Sequence, residues 1–429
     1  IGEEGELKLL RHDVLDELLE EEYTEGRSQF LDFVSAYGTG KNDKKIEELI
    51  LKVYEYSRSY PDAQEWLHEC VKGYELENLD ELEESPYVDL LKMYVELYLE
   101  DARARLYQGI EICREDSGPY MYEDALEDDL RMVERVLGAE TYQGLSEYMG
   151  DISWMKLPPN RDKTVSSDKA DQVKLIRDEV KELMKELNQQ YFYAEPEIIL
   201  KDIKGCQPMV RELTSLVEKF AERFEEKKRT KNMIDFSDME QYAMKILTEK
   251  TEGGFCPTAA AEEYQEQFLE IMIDEYQDSN LIQETILTSV SRYSRGEYNI
   301  FMVGDVKQSI YRFRLSRPEL FMEKYDTYST EDSDTQRIDL HKNFRSRAEV
   351  LESVNYIFRQ IMTRPLGGIA YDEDAALYVG ADYPEGTDHE TEVYLIDAVK
   401  SSWEDRKREA RVTAWRIHQL MENFQVTDK

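Results

Sequence analysis

A short apolar run that leads directly into two carboxylates is the first place where this sequence could do chemistry. Ile271-Met272-Ile273 precedes Asp274 and Glu275, and Asp278 follows closely. At the carboxyl end of a strand, one carboxylate can hold Mg²⁺ through its oxygens while its neighbour polarises an attacking water, as nucleotide hydrolysis requires. Asp274 fits the metal role and Glu275 the base role. Acids such as Glu275 and Asp278 also suit ordinary helix caps, so this motif alone leaves both interpretations open.

A glycine and a glutamine follow the next apolar run, Ile300–Val303. Gly304 lets the chain turn tightly as it leaves a strand, and the residues after it would then reach the sheet edge where Asp274 lies. Gln308 would stand where its amide can hydrogen-bond a terminal phosphate or the attacking water. The two segments together predict part of a nucleotide site.

Aromatic and basic residues alternate in Tyr311, Arg312, Phe313 and Arg314. Rings stack on bases at roughly 1–3 kcal/mol per base and guanidinium groups pair with phosphates, so this alternation is typical of a platform for single-stranded DNA. The alternative is that both rings belong to the core and that the arginines are merely solvated.

A third segment, Leu340–Arg347, combines cations with an aromatic residue where a strand would enter a helix. Arg345 could reach a γ-phosphate as charge develops on it, which is the role of an arginine finger. Phe344 beside it could stack on an adenine ring. Taken singly, the two residues are equally compatible with a surface cation and a buried ring.

Helical periodicity dominates residues 1–230, ahead of these motifs. In Lys44–Ser59, the apolar residues Ile46, Leu49, Ile50 and Val53 recur at the spacing i, i+3, i+4, i+7 that forms one helix face. Similar patterns predict helices in Tyr87–Cys113, Ala170–Phe192 and Met209–Lys228. Polar residues in Pro158–Asp168 predict an exposed loop.

Short β-branched runs alternate with helices after residue 230. They predict buried parallel strands at Ile271–Ile273, Ile300–Val303 and Ile338–Leu340. A further strand at Glu392–Ile396 and a helix at Trp403–Phe424 would open another domain. The predicted fold class is therefore an α-rich α/β protein, with a helical part followed by a parallel sheet.

The charge of the chain is unusual for a protein that contacts DNA. It contains 54 Lys and Arg against 93 Asp and Glu, a formal net charge of -39, whereas phosphate contact relies on cations. Val306–Arg317 and His341–Arg347 are basic and contain no acidic residue. An acidic exterior elsewhere would confine a polyanion to these two stretches.

Cysteine spacing argues against a metal-cluster protein, and hydropathy argues against a membrane-spanning protein. The four cysteines lack C-x-x-C spacing, which argues against a zinc or iron–sulfur site and predicts buried reduced thiols. No stretch approaches the roughly 20 apolar residues that span a bilayer, and the chain opens without a signal-peptide pattern, so we expect a cytoplasmic protein with no membrane partner.

Three segments resemble, in this order, motifs II, III and IV of superfamily 1A (UvrD/Rep/PcrA-like) helicases. They are Asp274-Glu275-Tyr276-Gln277-Asp278, Gly304–Arg314 and Asn343-Phe344-Arg345-Ser346. The sequence around these motifs more narrowly resembles the AddA (RexA) family, the motor subunits of AddAB-type helicase-nucleases. The same resemblance holds for Met233–Asp238 and Tyr54–Ser59. The likeness covers nearly the whole chain.

The resemblance implies a role for each matching residue. Asp274 would bind Mg²⁺, Glu275 would activate water, Gln308 would sense the γ-phosphate, Arg345 would be the arginine finger and Phe344 would stack on the adenine of ATP. Tyr311, Phe313 and Arg314 would contact single-stranded DNA, although many relatives carry the larger Trp where Phe313 stands.

The resemblance also implies a domain organisation and a larger protein. Residues 1–230 would form a mainly helical 1B-like insertion, 231–365 the second half of a RecA-like (P-loop NTPase) domain 1A, and 366–429 a linker and the start of domain 2A. The intact protein would be an ATP-driven 3′ to 5′ translocase that resects DNA ends with an AddB (RexB) partner in double-strand break repair and recombination.

A phosphate-cradling P-loop is missing from this sequence. Gly38-Thr39-Gly40-Lys41 lacks the earlier glycine, has Asn42 where Ser or Thr should bind Mg²⁺ and follows a helical pattern, so it is interpreted as an ordinary loop. By the resemblance, the family's motif order implies a P-loop upstream of Ile1, and the chain begins without Met. We therefore expect an internal fragment that does not hydrolyse ATP alone.

Two other functions compete with a motor. Clustered carboxylates with Lys307 could form a metal nuclease, although the Asp and Glu-x-Lys pattern of that class is not evident near Asp274. The chain could instead serve as a DNA-binding or subunit-docking module without catalysis.

Overall fold

The computed structural model describes residues 1–38, 42–364, 369–383, 390–395 and 402–423, and the side chains of residues 314, 402–405 and 423 also lie outside the description. The chain divides into two compact units. The first comprises Ile1–Arg337 with Gly367–Ile369, and the second comprises Ile338–Leu366 with Ala370–Lys429. The sequence motif Gly38–Lys41 falls largely outside the described residues.

Helices account for most of the first unit. Their bounds are α1 Glu4–Glu25, α2 Ser28–Tyr37, α3 Lys44–Ser57, α4 Ala63–Lys72, α5 Leu79–Glu83, α6 Pro86–Arg114, α7 Glu123–Leu137, α8 Tyr142–Gly150, α9 Ser167–Tyr191, α10 Pro196–Thr230, α11 Phe236–Leu247, α12 Ala259–Gln267, α13 Leu281–Val290 and α14 Pro318–Thr327. The helices predicted from periodicity are confirmed as α3, α6, α9 and α10.

Two apolar clusters hold the helical part together. One lies between α6, α7, α8 and α9 and includes the fully buried Leu106, Val133 and Val173. The other lies between α1, α2, α3 and α10 and includes Phe30 and Phe220. The long helix α10 contacts members of both groups, so it is the element that connects the two clusters.

Local signals in the sequence account for where these helices begin. Proline stands at the first turn of α6 and of α10, where its missing N–H costs nothing. Helix α11 begins with a capping box, because the Asp235 and Asp238 side chains each accept from the other's backbone N–H. Pro208 lies inside α10, which continues through it.

Two small sheets follow in the first unit. Strands β3 (Ile271–Ile273) and β4 (Ile300–Met302) pair in parallel, with Met272 opposite Phe301. These two strands were predicted, but not their exposure: Met272 is 72% exposed and Phe301 56%. An antiparallel hairpin, β1 (Thr248–Thr251) and β2 (Gly254–Pro257), was not predicted. Its only sequence signal is the glycine pair at residues 253 and 254.

The second unit contains helix α15 (Ala348–Ile361), helix α16 (Ser402–Asn423) and a parallel pair of short strands, β5 (Lys342–Asn343) and β6 (Tyr378–Val379). Helix α16 confirms the prediction at Trp403–Phe424. The strand predicted at Ile338–Leu340 is wrong, since that segment is irregular and Leu340 is 85% exposed. The strand predicted at Glu392–Ile396 is also wrong over its described residues, which are irregular.

The α-rich α/β class is confirmed, while the assignment of the parts to domains 1B, 1A and 2A stays a prediction. The expectation of buried thiols is wrong for Cys206 and Cys256, which are exposed, whereas Cys113 is buried, and all four cysteines are free. Within the described residues, no helix combines the length and apolarity needed to cross a bilayer.

Candidate nucleotide and DNA site

The parallel pairing of β3 and β4 brings the two chemistry-bearing segments of the first unit side by side. The backbone ladder continues past both strands, because Val303 donates to the Ile273 carbonyl (2.8 Å) and Tyr276 donates to the Val303 carbonyl (2.9 Å). Asp274 and Glu275 therefore leave β3 at the edge where Gly304 and the residues after it leave β4. Asp274 and Glu275 are both exposed there.

Glu275 has a left-handed backbone, with φ 51° and ψ 42°. Such a conformation costs a non-glycine residue about 1–3 kcal/mol and persists only where the surroundings impose it. The surroundings here are the Asp274 carboxylate, which accepts from the Glu275 N–H (3.0 Å), and a one-turn 3₁₀ helix at Tyr276–Asp278. The turn points the chain away from the strand immediately after the paired carboxylates.

Gln277 connects the two segments and is 1% exposed. Its amide nitrogen donates to a Glu275 carboxylate oxygen (2.7 Å), and its amide oxygen accepts from the backbone N–H of Asp305 (3.0 Å). Both halves of one buried amide are therefore used, one on each segment. Gln277 thus orients the Glu275 side chain and is itself held by Asp305, in the segment that follows β4.

Gly304 lies against that buried amide. A Cβ at this position would stand 2.6 Å from the Gln277 side-chain oxygen and 3.0 Å from the ring of Phe321. A larger residue would therefore displace Gln277. The glycine predicted to turn the chain after β4 has this second, steric reason to be glycine.

Asp305 fixes the residues that follow Gly304. Its carboxylate accepts from the Lys307 backbone N–H (3.1 Å) and pairs with the Lys307 ammonium (3.0 Å). It also accepts from the side-chain amide of Gln308 (3.1 Å). Hydrogen bonds therefore run from Glu275 through Gln277 and Asp305 to Gln308, so the two polar residues proposed from sequence belong to one connected network.

Tyr276 and Asp278 flank the network on its buried side. Tyr276 donates to Glu284 (2.5 Å), which pairs with Lys324 (2.8 Å), and burial followed by this hydrogen bond raises the pKa of the Tyr276 phenol. Burial and then the charge of Glu275 raise the pKa of the Asp278 carboxyl. Tyr276 therefore anchors the turn that follows the paired carboxylates. In the described structure Glu275 stands at the N-cap position of the 3₁₀ turn without a side-chain cap hydrogen bond, and Asn280, not Asp278, caps α13.

The aromatic and basic segment forms a short turn after the network. Tyr311 and Phe313 lie with ring centroids 6.0 Å apart, and Phe313 is 76% exposed, so the alternative that its ring belongs to the core is wrong. Arg312 pairs with Glu319. The side chain of Arg314 lies outside the described residues.

Arg345 and Phe344 lie in the second unit, and their local setting can be described within it. The Asn343 side chain accepts from the backbone N–H groups of Arg345 (2.9 Å) and Ser346 (2.8 Å), which shapes the turn into α15. Arg345 is exposed, and the Phe344 ring packs over Gly380, where a Cβ would stand 2.8 Å from it. Phe344 remains 64% exposed, so it is not a buried ring.

Sequence reasoning missed Gln277 and Asp305, the two residues that join the motifs. Both stand inside the quoted motifs, but their spacing alone gives no reason to assign them a role. Tyr60 and Arg317 were missed as well. The Arg317 guanidinium lies 5.0 Å from the Tyr60 ring centroid and donates to the Tyr60 hydroxyl, and the Tyr60 ring stacks on Trp66 (4.9 Å).

The chain is similar in sequence to known helicase proteins. Residues 153–329 match the family model of the UvrD/REP helicase N-terminal domain. Proteins named as the A subunits of ATP-dependent helicase/nucleases are similar: one from Lachnoclostridium phytofermentans is 44% identical over 94% of this chain and 30% of its own length. Those from Geobacillus thermodenitrificans and Bacillus pumilus are 40% and 38% identical, over 96% and 100% of the chain and 34% and 36% of their own lengths. The chain thus spans about a third of these relatives.

Proposed function

Because the chain carries a UvrD/REP helicase N-terminal domain and is homologous along nearly all its length to ATP-dependent helicase/nuclease A subunits, we propose that the protein containing it is a DNA-translocating motor. In this proposal, ATP hydrolysis drives 3′ to 5′ movement along single-stranded DNA in a cytoplasmic helicase-nuclease that resects broken ends. The observation that carries the proposal is the hydrogen-bonded connection between Glu275 and Gln308 at one sheet edge.

The exposed carboxylates at the end of β3 suit Mg²⁺. Asp274 offers hard oxygen ligands to solvent, and oxygen is the donor that Mg²⁺ prefers. We assign Asp274 to the metal, which when bound would neutralise charge on the β- and γ-phosphates of ATP. The lysine of a P-loop would complete the phosphate site, and we infer that another part of the intact protein supplies it.

Glu275 would act as the base for the attacking water. One of its oxygens accepts from Gln277, which leaves the other to take the proton. Gln308, held by Asp305, would contact the γ-phosphate or the same water. For the second unit, we propose from the resemblance alone that Arg345 is an arginine finger and that Phe344 stacks on adenine; both side chains are exposed within that unit.

The turn at residues 311–314 would hold single-stranded DNA. Phe313 presents most of its ring to solvent beside Tyr311, which suits stacking on bases, and Arg314 would pair with a phosphate. Because this turn follows Gln308 directly, a change at the γ-phosphate would reach the DNA-contacting rings through a few residues. The naming of the relatives as A subunits supports the presence of a partner subunit, which we propose to be of the AddB type.

An ATPase assay on the intact protein tests the proposal. We expect hydrolysis that single-stranded DNA stimulates, and a loss of roughly 10²-fold or more in the Glu275→Gln variant, because general-base catalysis contributes typically 10²–10⁴-fold. Glu270→Gln, an exposed carboxylate ahead of β3, is the matched control and should leave the rate unchanged. DNA-stimulated turnover that survives Glu275→Gln would contradict the assignment.

The 429-residue chain alone should not hydrolyse ATP, because no P-loop occurs in its sequence. A phosphate-release assay on the purified chain checks this expectation, with the intact protein as the positive control. Robust turnover by the chain that disappears in Glu275→Gln would show that the phosphate site is complete without a P-loop.

A further inference from the structure

The loop between α8 and α9 carries a cluster of cations that the motor site does not use. Residues 153–165 contain Lys156, Arg161 and Lys163 but a single acidic residue, Asp162, within a strongly acidic chain. All three cationic side chains are exposed. The segment therefore has the opposite charge balance from the helices around it.

These cations differ from their neighbours in having no acidic partner. Most surface cations of the adjacent helices are neutralised by a carboxylate, as in the pairs Arg105–Asp101, Arg114–Glu123, Arg131–Asp128, Arg135–Asp151, Lys169–Glu115 and Lys174–Asp171. Among the residues that the structure describes, Lys156, Arg161 and Lys163 form no ion pair. Their charge is therefore available to an anion from outside.

The backbone that carries them is anchored rather than loose. Arg177, 1% exposed, donates to the Met155 carbonyl (2.6 Å) while it pairs with the fully buried Asp129 (3.0 Å). Ile152, Trp154, Leu157 and Val165 pack against the apolar cluster of α6 to α9. Because these apolar side chains point inward, the cations between them are held at the surface.

The single acid of the loop is already used. The Asp162 carboxylate accepts from the backbone N–H (2.9 Å) and hydroxyl (2.7 Å) of Thr164 and from the Tyr120 hydroxyl (3.1 Å). The Thr164 backbone hydrogen bond, then the Thr164 hydroxyl, lower the pKa of this carboxyl. Asp162 thus shapes the turn that presents Arg161 and Lys163 and does not neutralise either.

We propose that this loop binds the phosphate backbone of DNA through Lys156, Arg161 and Lys163. An anchored loop with three unneutralised cations, in a chain of net charge -39, suits a polyanion, because each phosphate contact releases condensed counterions and the acidic helices around the loop repel an anion. The proposal rests on the proposed function in taking DNA as the polyanion, and it adds a contact outside motifs II to IV.

Salt-dependent binding tests it. The intact protein and the variant K156A/R161A/K163A are titrated against labelled duplex and single-stranded DNA over a range of salt concentrations. Removing three phosphate contacts should lower affinity on the order of 10²-fold near 0.1 M salt, and should flatten the slope of log K against log[salt] by about 2.7 for duplex or about 2.1 for a single strand. The form of DNA for which the affinity falls and the salt slope flattens is the form that the loop contacts.

Two further variants make the result decisive. K8A/K45A/K201A removes three exposed lysines that lie elsewhere on the helices and should leave the slope unchanged. K156R/R161K/K163R keeps the charge and should retain wild-type binding. If the alanine variant of the loop binds with the same affinity and slope as the lysine control, the proposal is wrong. ATPase activity of the wild type at saturating DNA tests the motor function separately. If the wild type has no such activity, the proposed function is wrong, but the salt-dependent binding data still decide whether the loop contacts DNA.

Discussion

Gln277 donates its side-chain amide to the Glu275 carboxylate over 2.7 Å, two residues along the same chain, and accepts from Asp305 on the neighbouring strand's continuation. The hydrogen bond between Gln277 and Glu275 is local in sequence. The hydrogen bond from Asp305 to Gln277 joins that local pair to the neighbouring strand. The orientation of the proposed base therefore depends on the register of β3 and β4. Gln277 is a positioning residue in this arrangement, because it would act through Glu275.

Replacing Gln277 by Leu should lower kcat of the intact protein roughly 10- to 100-fold, the range typical when a buried residue that orients a reacting group is lost. The KM for ATP should change little, since Gln277 is not expected to touch the nucleotide. Steady-state ATPase kinetics measure both. A rise in KM with kcat unchanged would indicate ground-state binding and contradict a positioning role.

The Gln277→Glu variant gives a second measurement, the pH dependence of activity, which would not change if Gln277 had a purely structural role. A carboxylate at this position would place a like charge beside Glu275 and raise its pKa. Because the base must be deprotonated to act, activity on the acidic side of the pH profile should be lost at a higher pH than in the wild type. An unshifted acidic limb would argue against contact between the two side chains in the working enzyme.

Gly304→Ala should reproduce the loss seen with Gln277→Leu. The added Cβ would stand 2.6 Å from the Gln277 side-chain oxygen, so the amide must move and release Glu275. Gly150→Ala, where an added Cβ meets open space, is the control and should leave the ATPase rate unchanged. The double variant with Gln277→Leu should be no worse than either single variant, since both remove one connection, and additive losses would show that they act separately.

The sequence predicted the helices well because their apolar residues recur with helical period over long stretches, as in α6 and α9. It predicted β3 and β4 because each apolar run ends in a group of polar residues. It failed at Ile338–Leu340, where two apolar residues flank Asp339 and the segment is irregular, and the short strand instead begins at Lys342. Pairing partners distant in sequence decide such cases, and local pattern cannot supply them.

The candidate site was predictable to a similar degree. Asp274, Glu275 and Gln308 follow from residue type and position at strand ends. The bridge through Gln277 does not, because it depends on the parallel pairing of the strands, which continues as the hydrogen bond from the Tyr276 N–H to the Val303 carbonyl. The anchoring of the basic loop by Arg177 was equally hidden, since its partner Asp129 lies on a different helix and both have the types usually found at surfaces.

Breaking the buried pair of Asp129 and Arg177 at one partner should destabilise the helical part. Asp129 is fully buried, and burial raises the pKa of its carboxyl while the Arg177 hydrogen bond opposes that rise. Either Asp129→Leu or Arg177→Met leaves an uncompensated buried charge and should lower the free energy of unfolding by about 3–5 kcal/mol. Urea denaturation measures the change.

The double variant Asp129→Leu with Arg177→Met separates charge from packing. With neither charge present, its stability should return most of the way to that of the wild type, because the desolvation cost disappears with the pair. Losses in the two single variants that simply add in the double variant would mean that the side chains contribute independently.

Acid should weaken the junction between α10 and α11. Lys228, 3% exposed, pairs with Asp235 (2.9 Å) and Asp238 (2.5 Å), and Arg58 also reaches Asp238 (3.2 Å). Burial alone would raise the pKa of Asp235, but the Lys228 hydrogen bond and the remaining interactions hold it below its ordinary value of 3.8. A carboxyl with a lowered folded-state pKa stabilises the protein above its unfolded pKa, and that contribution is lost as the pH falls below it.

Lys228→Met should weaken this dependence. Without the ammonium, two of the interactions that lower the Asp235 pKa are lost and this pKa rises, so the variant would be least destabilised relative to wild type at low pH and most destabilised near neutrality. Urea unfolding of both proteins between pH 3 and about pH 7 gives the difference in unfolding free energy. Lys231→Met, an exposed lysine just beyond α10, should give a small difference that does not vary with pH. A pH-independent difference for Lys228→Met would show that the ammonium does not set the ionisation of Asp235.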